Sequence, residues 1–419
     1  MAIAEVDVDF QDTSEEAAFR EEVREWLKAN ATPRGGGGDS LFSERDDDAE
    51  YLARSRAWQA KKFDAGWAGI TWPKEYGGRG GTPIQQIIWS QEAAHYDAPD
   101  GVFGIGIGMG GPTVISHGSD ELKARLLPRL LRGDDIWCQL FSEPGAGSDV
   151  SASRTRAERD GDEWVVNGQK VWTSGAHYSK WGMLLARSDF DTPKHRGLTY
   201  FMLDMESPGV EVRPLKQMTG GANFNEVFFT DVRIPDANRV DEVGNGWRVA
   251  LTTLMNERMS IGGSAGGLGS TDIEGLIALA KTQKLNGKPA IEDPVIRQDL
   301  MQLYMWAEGL RFTGYKSLTA LSKGQIPGPE GSIGKLAVAR LGTRAADVAL
   351  AIMGGDGMLH RADAEDHGSW QLSLLGNPAM RIAGGSDEIQ RNIIGERVLG
   401  LPGEPRLDKD LAFKDVASG

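Results

Sequence analysis

The order of apolar and polar positions divides the chain into stretches of different periodicity. Residues 14–30 (SEEAAFREEVREWLKAN) open on Ser and early acids and place Phe19, Val23, Trp26 and Leu27 at helical spacing. A flexible insert is expected at Gly35 to Gly38. A second helical run begins near Asp46 and includes Leu52, Trp58 and Phe63. Pro73 and the GGRGG of 77–81 break it, and the helical pattern resumes over 83–97. Residues 119–132 read as a helix with Pro128 in its path, which predicts a kink or two short helices.

The character changes near Trp137. Glu163 to Trp172 (EWVVNGQKVW) predicts a β-hairpin, because β-formers flank an Asn-Gly pair suited to the positive φ of a tight turn. Gly182 to Arg187, Leu198 to Met205 and Asn225 to Arg233 are strand-like. After Gly244 the pattern returns to helices at roughly 246–261, 271–284, 293–323, 332–353 and 386–399. Helices, then strands, then helices predict two helical parts enclosing a β domain.

Composition narrows the function classes. The 419 residues are 40% apolar and 25% charged with a formal charge of −14, which suits a globular enzyme and disfavours nucleic acid as partner. A single cysteine, Cys138, excludes a disulfide framework and a Cys-rich zinc site. The six histidines show no metal-ligand spacing. The N-terminal stretch lacks a basic region followed by an apolar run, and no apolar stretch reaches 18 residues. A cytoplasmic protein with no membrane span and no bound metal is expected.

Two motifs are set aside. Gly106-Ile-Gly-Met-Gly-Gly111 matches GxGxxG, but neither a buried strand before it nor a helix directly after it is evident. Gly262-Gly-Ser264-Ala-Gly266 matches GxSxG but follows a helix, where small residues serve close helix contact.

Gln139-Leu-Phe-Ser-Glu-Pro-Gly-Ala-Gly-Ser-Asp-Val150 is more informative. An apolar strand end leads into a Pro/Gly loop that exposes amides and brings Ser142 and Ser148 near any planar ligand. Alone it is only a turn. Trp172-Thr-Ser-Gly175 adds an aromatic face and two hydroxyls, which together suit a flat apolar cofactor.

EPGAGSD, the NGQKxW segment and the C-terminal GGSDEIQRNIIGERVLGLP resemble, in order and spacing, the acyl-CoA dehydrogenase family, and the resemblance covers essentially the whole chain. It implies that family's α+β fold: an N-terminal helical domain (1–136), a middle β-barrel-like domain (137–243) and a C-terminal four-helix bundle (244–419). It implies FAD, an acyl-CoA substrate and an electron-transferring flavoprotein as electron acceptor. By the same resemblance Gln139, Phe141, Ser142 and Gly147 meet the flavin, Ser148 meets flavin and the CoA portion, and Trp172 and Ser174 lie against the other side of the ring. Arg297, Gln298, Gly354, Gly355, Ser386 and Glu388 match segments holding the adenosine diphosphate end, much of it supplied by a neighbouring subunit. Asn256, Arg258, Gly384 and Gly385 fall on the substrate side. A homotetramer or dimer is implied.

Three departures stand out. Lys281-Thr-Gln-Lys-Leu-Asn-Gly287 replaces the usual Arg-x-x-Phe-Gly pyrophosphate clamp. Ala351 replaces a usual Gln. Ala383-Gly384-Gly385-Ser386 stands where many relatives read Tyr-Glu-Gly-Thr, so the common catalytic base is missing.

A replacement is suggested twice. Ala250, Leu254, Glu257 and Ile261 share one helical face, which makes Glu257 a lone carboxylate on an apolar row, where desolvation favours a base. An ion pair with a neighbouring Arg, or a place at the solvent edge, explains the pattern as well. Some relatives, isovaleryl-CoA dehydrogenases among them, carry their base directly before an Arg on this helix, as in Glu257-Arg258. The resemblance then implies α-proton removal by Glu257, hydride transfer to flavin and a trans-2-enoyl-CoA product. The alternatives are an oxygen-using relative such as an acyl-CoA oxidase, and a silent flavin-binding subunit paired with an unlike one, as in some actinobacterial members acting on steroid side chains. Loss of the Tyr-Glu pair predicts room for branched or polycyclic acyl groups, unless Phe103 or Met109 refills the space.

Overall fold

The computed structural model describes residues 12–33, 48–262, 273–322, 328–329, 331–360, 363–364, 368–405 and 408–416. The GxSxG-like segment beyond Gly262 and the glycines of 35–38 lie outside them.

Helix α1 (Ser14–Asn30) begins on a reciprocal capping box: the Thr13 hydroxyl accepts from Glu16 N–H and the Glu16 carboxylate accepts from Thr13 N–H. Its Phe19, Val23 and Leu27 are buried. They join a tryptophan cluster with α2 (Asp48–Asp64) and α3 (Pro83–Ala93), in which Trp67 and Trp89 stack at 5.1 Å. Buried Glu92 of α3 accepts from both Arg20 and Arg24 at 2.8 Å and so ties α1 to α3.

Gly106–Gly110 form one π-helical turn that runs straight into α4 (Gly111–His117), so a helix does follow the GxGxxG match, contrary to expectation. No strand runs directly into it; a 3-10 turn at Gly101–Phe103 comes before it. A Cβ at Gly106, Gly110 or Gly111 would fall within 3 Å of Leu130, Trp137 and Met183, or Trp72. These glycines serve close approach, and no phosphate loop is formed.

Helix α5 (Asp120–Arg132) is a single 13-residue element that contains Pro128, so of the two expected outcomes the division into two short helices is corrected. An interior proline costs about 3 kcal/mol. Leu122, Leu126, Leu127, Leu130 and Leu131 are all buried, at roughly 1.5–3 kcal/mol each. That burial outweighs the lost hydrogen bond.

The middle of the chain forms one sheet. Its strands are β1 (Trp137–Leu140), β2 (Arg156–Asp160), β3 (Glu163–Ser174), β4 (Trp181–Arg187), β5 (Leu198–Asp204), β6 (Val210–Leu215), β7 (Phe224–Pro235) and β8 (Arg239–Val240). The spatial order is β8-β5-β4-β2-β3-β7-β6, with β1 running parallel beside β4. The predicted hairpin turn at Asn167-Gly168 does not exist. Strand β3 runs through both residues, and the turn falls at Gly161-Asp162, between β2 and β3. Asn167 is held in the sheet by Asp231: its Nδ2 donates to the carboxylate at 3.0 Å and its Oδ1 accepts the Asp231 N–H at 2.9 Å. Gly168 (φ 151) sits at a register shift, where a Cβ would lie 2.6 Å from Thr155 Oγ1. Asn286-Gly287 (φ 53 and 81) makes the two-residue turn that such a pair favours, between Lys284-Leu285 and Lys288-Pro289.

Helices α6 (Gly246–Gly262), α7 (Ile273–Thr282), α8 (Pro294–Ser322), α9 (Gly331–Met353), α10 (Ser369–Met380) and α11 (Asp387–Ile393) follow. All but α9 itself gather around α9, whose small residues (Gly334, Ala339, Ala345, Ala346, Ala349) are buried. Downstream, a tail returns to the sheet. Phe413 N–H donates to Thr192 O and Lys414 N–H to Phe190 O, and the Phe413 ring lies 3.5 Å from the guanidinium carbon of fully buried Arg187.

Candidate active site

Strand β1 ends in a loop held from beneath by a buried ion pair. Lys170, on the inward face of β3, donates to Glu143 Oε1 and to Phe141 O, both at 2.8 Å. Glu143 also accepts the N–H groups of Arg154 (2.7 Å) and Thr155 (2.9 Å). Burial raises the Glu143 pKa, but the Lys170 charge and these donors outweigh it and hold the carboxyl below its usual range. Burial lowers the Lys170 pKa, with Glu143 opposing. With its backbone fixed in this way, the loop carries half-buried Gln139 and Ser142 and exposed Gly147 and Ser148. A Cβ at Gly145 or Gly147 would meet nothing within 4 Å, so that face is open.

The loop is joined to a second wall. Val171 N–H donates to Ser142 O at 2.9 Å, and the next residue is Trp172. Its backbone is left-handed (φ 61) at a register shift in β3, and its side chain is 57% exposed. A tryptophan in that region costs about 1–3 kcal/mol, and such strain concentrates where a ligand is met. The ring is edge-on to Phe224 at 6.0 Å. Phe224 in turn packs against Ala339 of α9 and Met380 of α10. Ser174 is half-buried two residues on. Below this wall Thr173 Oγ1 and Asn225 Oδ1 are buried with no partner among the described residues.

The floor leads to α6. Phe141 meets Tyr200 edge-on at 5.8 Å. The Tyr200 hydroxyl is 3.2 Å from Thr253 Oγ1, which is 3.0 Å from Thr113 Oγ1. Glu257 lies one turn beyond Thr253 and is half-buried, as is Asn256, while the Arg258 side chain lies outside the described residues. Ala250 and Leu254 join the core as the row predicted. The expected wholly apolar setting of Glu257 is corrected by α9: the Glu257 charge acts on buried Lys335. Lys335 Nζ donates to Gly385 O at 2.7 Å, so the Gly384-Gly385 loop and Glu257 face the same ammonium group.

The remaining residues separate into two places. Ser386 caps α11, accepting from Ile389 N–H at 3.4 Å, and Glu388 is exposed beside Arg391. Arg297 and Gln298 are exposed near the start of α8, and the Arg344–Asp299 bond (2.7 Å) sets that end against the later part of α9. Gly354 and Gly355 are exposed just past α9. At 1.5 Å per residue Gly354 lies about 28 Å along the helix from Lys335. Within one chain these four residues therefore do not meet the Ser142–Trp172 walls. Sequence reasoning missed Glu143, Lys170, Lys335 and Gln390. The detectable signal was a lysine at an inward strand position (Lys170) and one in a small-residue helical run (Lys335).

Among the described residues no group of three or more His, Cys, Asp or Glu is arranged to hold a metal, and no helix is long and apolar enough to cross a membrane.

The acyl-CoA dehydrogenase N-terminal, middle and C-terminal domains match residues 13–134, 138–232 and 244–399. The chain belongs to the acyl-CoA dehydrogenase family of oxidoreductases and has its fold. It is 39% identical to the acyl-CoA dehydrogenase IpdE1 of Mycobacterium tuberculosis, over 93% of this chain and 98% of that protein. The crystal structure of the ChsE4-ChsE5 complex from Mycobacterium tuberculosis superposes with a TM-score of 0.78 at 30% identity, over 95% of this chain and 100% of that one. The Tcur3481-Tcur3483 steroid acyl-CoA dehydrogenase gives a TM-score of 0.78 at 26% identity, over the same shares. The family cofactor is FAD. The residues here fit it: an exposed, strained Trp172, an open glycine loop, and unpartnered polar atoms behind the wall.

Proposed function

We propose that this chain dehydrogenates an acyl-CoA thioester at its α,β bond to the trans-2-enoyl-CoA, passing the electrons to an electron-transferring flavoprotein. The observation that carries the reading is Trp172, exposed and left-handed at the edge of the Ser142 loop. Gln139, Phe141, Ser142, Gly147, Trp172 and Ser174 would hold the flavin ring, and Ser148 would also meet the CoA portion. Bound FAD supplies an acceptor for the β hydride. Glu257, on the α6 face that continues Ala250 and Leu254, removes the α proton. Gly384 offers a backbone N–H to the thioester carbonyl, which acidifies that proton. Asn256, Arg258 and Gly385 flank the acyl group.

Arg297, Gln298, Gly354, Gly355, Ser386 and Glu388 would hold the adenosine end of FAD across an interface between subunits. Exposed Val295, Met301, Tyr304, Met305, Trp306 and Phe312 of α8 supply apolar surface for that assembly. It is either a homotetramer or dimer or, as in the ChsE4-ChsE5 complex, a pairing of unlike chains. The boundaries 1–136, 137–243 and 244–419 divide the chain into the three domains, and we place the protein in the cytoplasm.

For substrate we favour a polycyclic, steroid-type acyl group. The Tcur3481-Tcur3483 relative is a steroid acyl-CoA dehydrogenase, and Ala383-Gly384 leaves a wall without bulky side chains. Phe103 does not refill it, being locked against Gly133 in a cluster with Val102 and Ile136.

The test is anaerobic bleaching of the FAD-loaded protein by a steroid-derived acyl-CoA, a branched acyl-CoA and octanoyl-CoA. Glu257→Gln should slow bleaching by roughly 10²–10⁴ with flavin content retained. Bleaching by none of the three esters refutes the reading. Unchanged bleaching in Glu257→Gln removes Glu257 from it.

A further inference from the structure

The turn between α10 and α11 carries no reactive side chain at Ala383, Gly384 or Gly385, so any chemistry it performs belongs to its peptide groups. Gly384 (φ 66) and Gly385 (φ 91) are both left-handed. Their carbonyls are tied inward from two directions. Gln390 Nε2 donates to Gly384 O at 2.7 Å and to Gly385 O at 3.2 Å. Lys335 Nζ reaches Gly385 O from α9 at 2.7 Å. Both side chains are buried, at 0% and 1% exposure. A Cβ at Gly385 would lie 2.6 Å from Gln390 Nε2, so glycine there is what lets the amide approach. Arg381 and Asp387 close the base of the turn at 2.7 Å, and Asp387 N–H donates to Arg381 O at 3.1 Å.

A trans peptide is planar, with its C=O and N–H opposed. Pulling the Gly384 and Gly385 carbonyls toward α9 and α11 therefore turns the N–H groups of the following residues the other way. Among the described residues the Gly385 and Ser386 amides turned in this way donate to no backbone acceptor. Unused amides on a turn whose Gly384 and Gly385 carbonyls are held on the opposite side make a site for a ligand oxygen.

Resting on the acyl-CoA reading above, we infer that Lys335 and Gln390 are positioning residues that hold the 383–386 turn so that its amides polarise the thioester carbonyl. Lys335 acts from the carbonyl side: by holding Gly385 O it fixes the plane of the Gly385–Ser386 peptide, and so the direction of the opposed N–H. The groups facing Lys335 are Asp387, Glu257, Glu388 and Arg381, so the lysine also links the turn to the carboxylate on α6. A lysine retained in an almost solvent-free helix interface, at a cost in desolvation, acquires a use in this way.

The test separates carbonyl polarisation from hydride transfer. 3,3-Dimethylbutanoyl-CoA has α hydrogens but no β hydrogen, so its α-hydrogen exchange in D2O reports acidification alone. The FAD-loaded protein should catalyse exchange. Lys335→Met should slow it ~10–100-fold, as for loss of one stabilising donor, with flavin content and ester binding within about threefold of the unaltered protein. Exchange in Lys335→Met within twofold of the unaltered rate overturns the inference. Should that variant lose its flavin, Gln390→Met decides by the same two criteria. Absence of exchange by the unaltered protein and absence of bleaching by all three oxidisable esters would sink the acyl-CoA reading, and this inference with it. Bleaching without exchange sinks this inference alone.

Discussion

Replacing Lys170 by Met keeps the length and most of the volume of a fully buried side chain and removes its charge. The change strands Glu143. Its carboxylate keeps only the N–H groups of Arg154 and Thr155, while Phe141 O loses its 2.8 Å donor. Breaking a buried pair by removing one member costs roughly 3–5 kcal/mol, because the other charge stays behind. The sign with pH is diagnostic. In the unaltered protein Glu143 is held below its usual range, so its contribution is present above the unfolded pKa and is lost as pH falls through the folded one. In Lys170→Met the stranded carboxyl shifts upward, so the deficit should shrink as pH is lowered from 8 to 5. Adding Glu143→Gln should restore all but about 1–3 kcal/mol. The stranded charge is gone, but the single amide oxygen can accept only one of the two N–H groups, which bond to different carboxylate oxygens, and the other is left unpaired. Urea unfolding at fixed protein concentration, run as a double-mutant cycle, measures the coupling at roughly 2 kcal/mol or more. A single-variant loss below about 1 kcal/mol with additive changes would refute the claim that this pair holds the loop.

Three further outcomes are expected. Gly168→Ala combines a φ of 151° with a Cβ 2.6 Å from Thr155 Oγ1, and thermal unfolding should show a loss of about 1–3 kcal/mol. Asp236 is held at about 2 chiefly by Arg239, against some burial and with help from the Trp164 N–H. Asp236→Asn should thus lose about 1–2 kcal/mol at pH 7. That difference should persist above about pH 4 and vanish toward pH 2, a window that acid titration of both proteins checks. Cys138 is buried and its thiol is pushed up to about 12 by burial, so it should resist thiol reagents under native conditions and react on unfolding. Rapid native labelling would contradict that.

Periodicity found most of the long elements because each buries a continuous apolar stripe that local sequence displays. It failed where a distant partner decides. The two Asn-Gly pairs are alike locally. Asn286-Gly287 turns at the tip of an isolated two-stranded pair, whereas Asn167-Gly168 is clamped between β2 and β7 and bonded to Asp231. Pro128 predicted a kink or two short helices, and five buried leucines keep the helix in one piece. Helix α10 carries Gly376-Asn-Pro378, which is loop punctuation by local rules, and it packs against α9. Within the candidate site, Ser142, Trp172 and Glu257 were singled out through motif and spacing. The left-handed backbone of Trp172, and the lysines beneath the two loops, depend on contacts across 27 to 50 residues of chain.

The return of Phe413 to Arg187 has a consequence for biosynthesis. The middle sheet is translated early, yet the aromatic cover of its buried guanidinium is encoded about 226 positions later. At 5–20 residues per second the ribosome needs roughly 10–45 s to cross that distance. During that interval Arg187 has Ser151, Ser153 and Lys194 carbonyls as partners but stands open to water on the Phe413 side. The sheet thus completes its interior only when the last helices have already emerged. A stalled or prematurely released nascent chain would present this uncovered cation, a chemically distinct mark of unfinished synthesis.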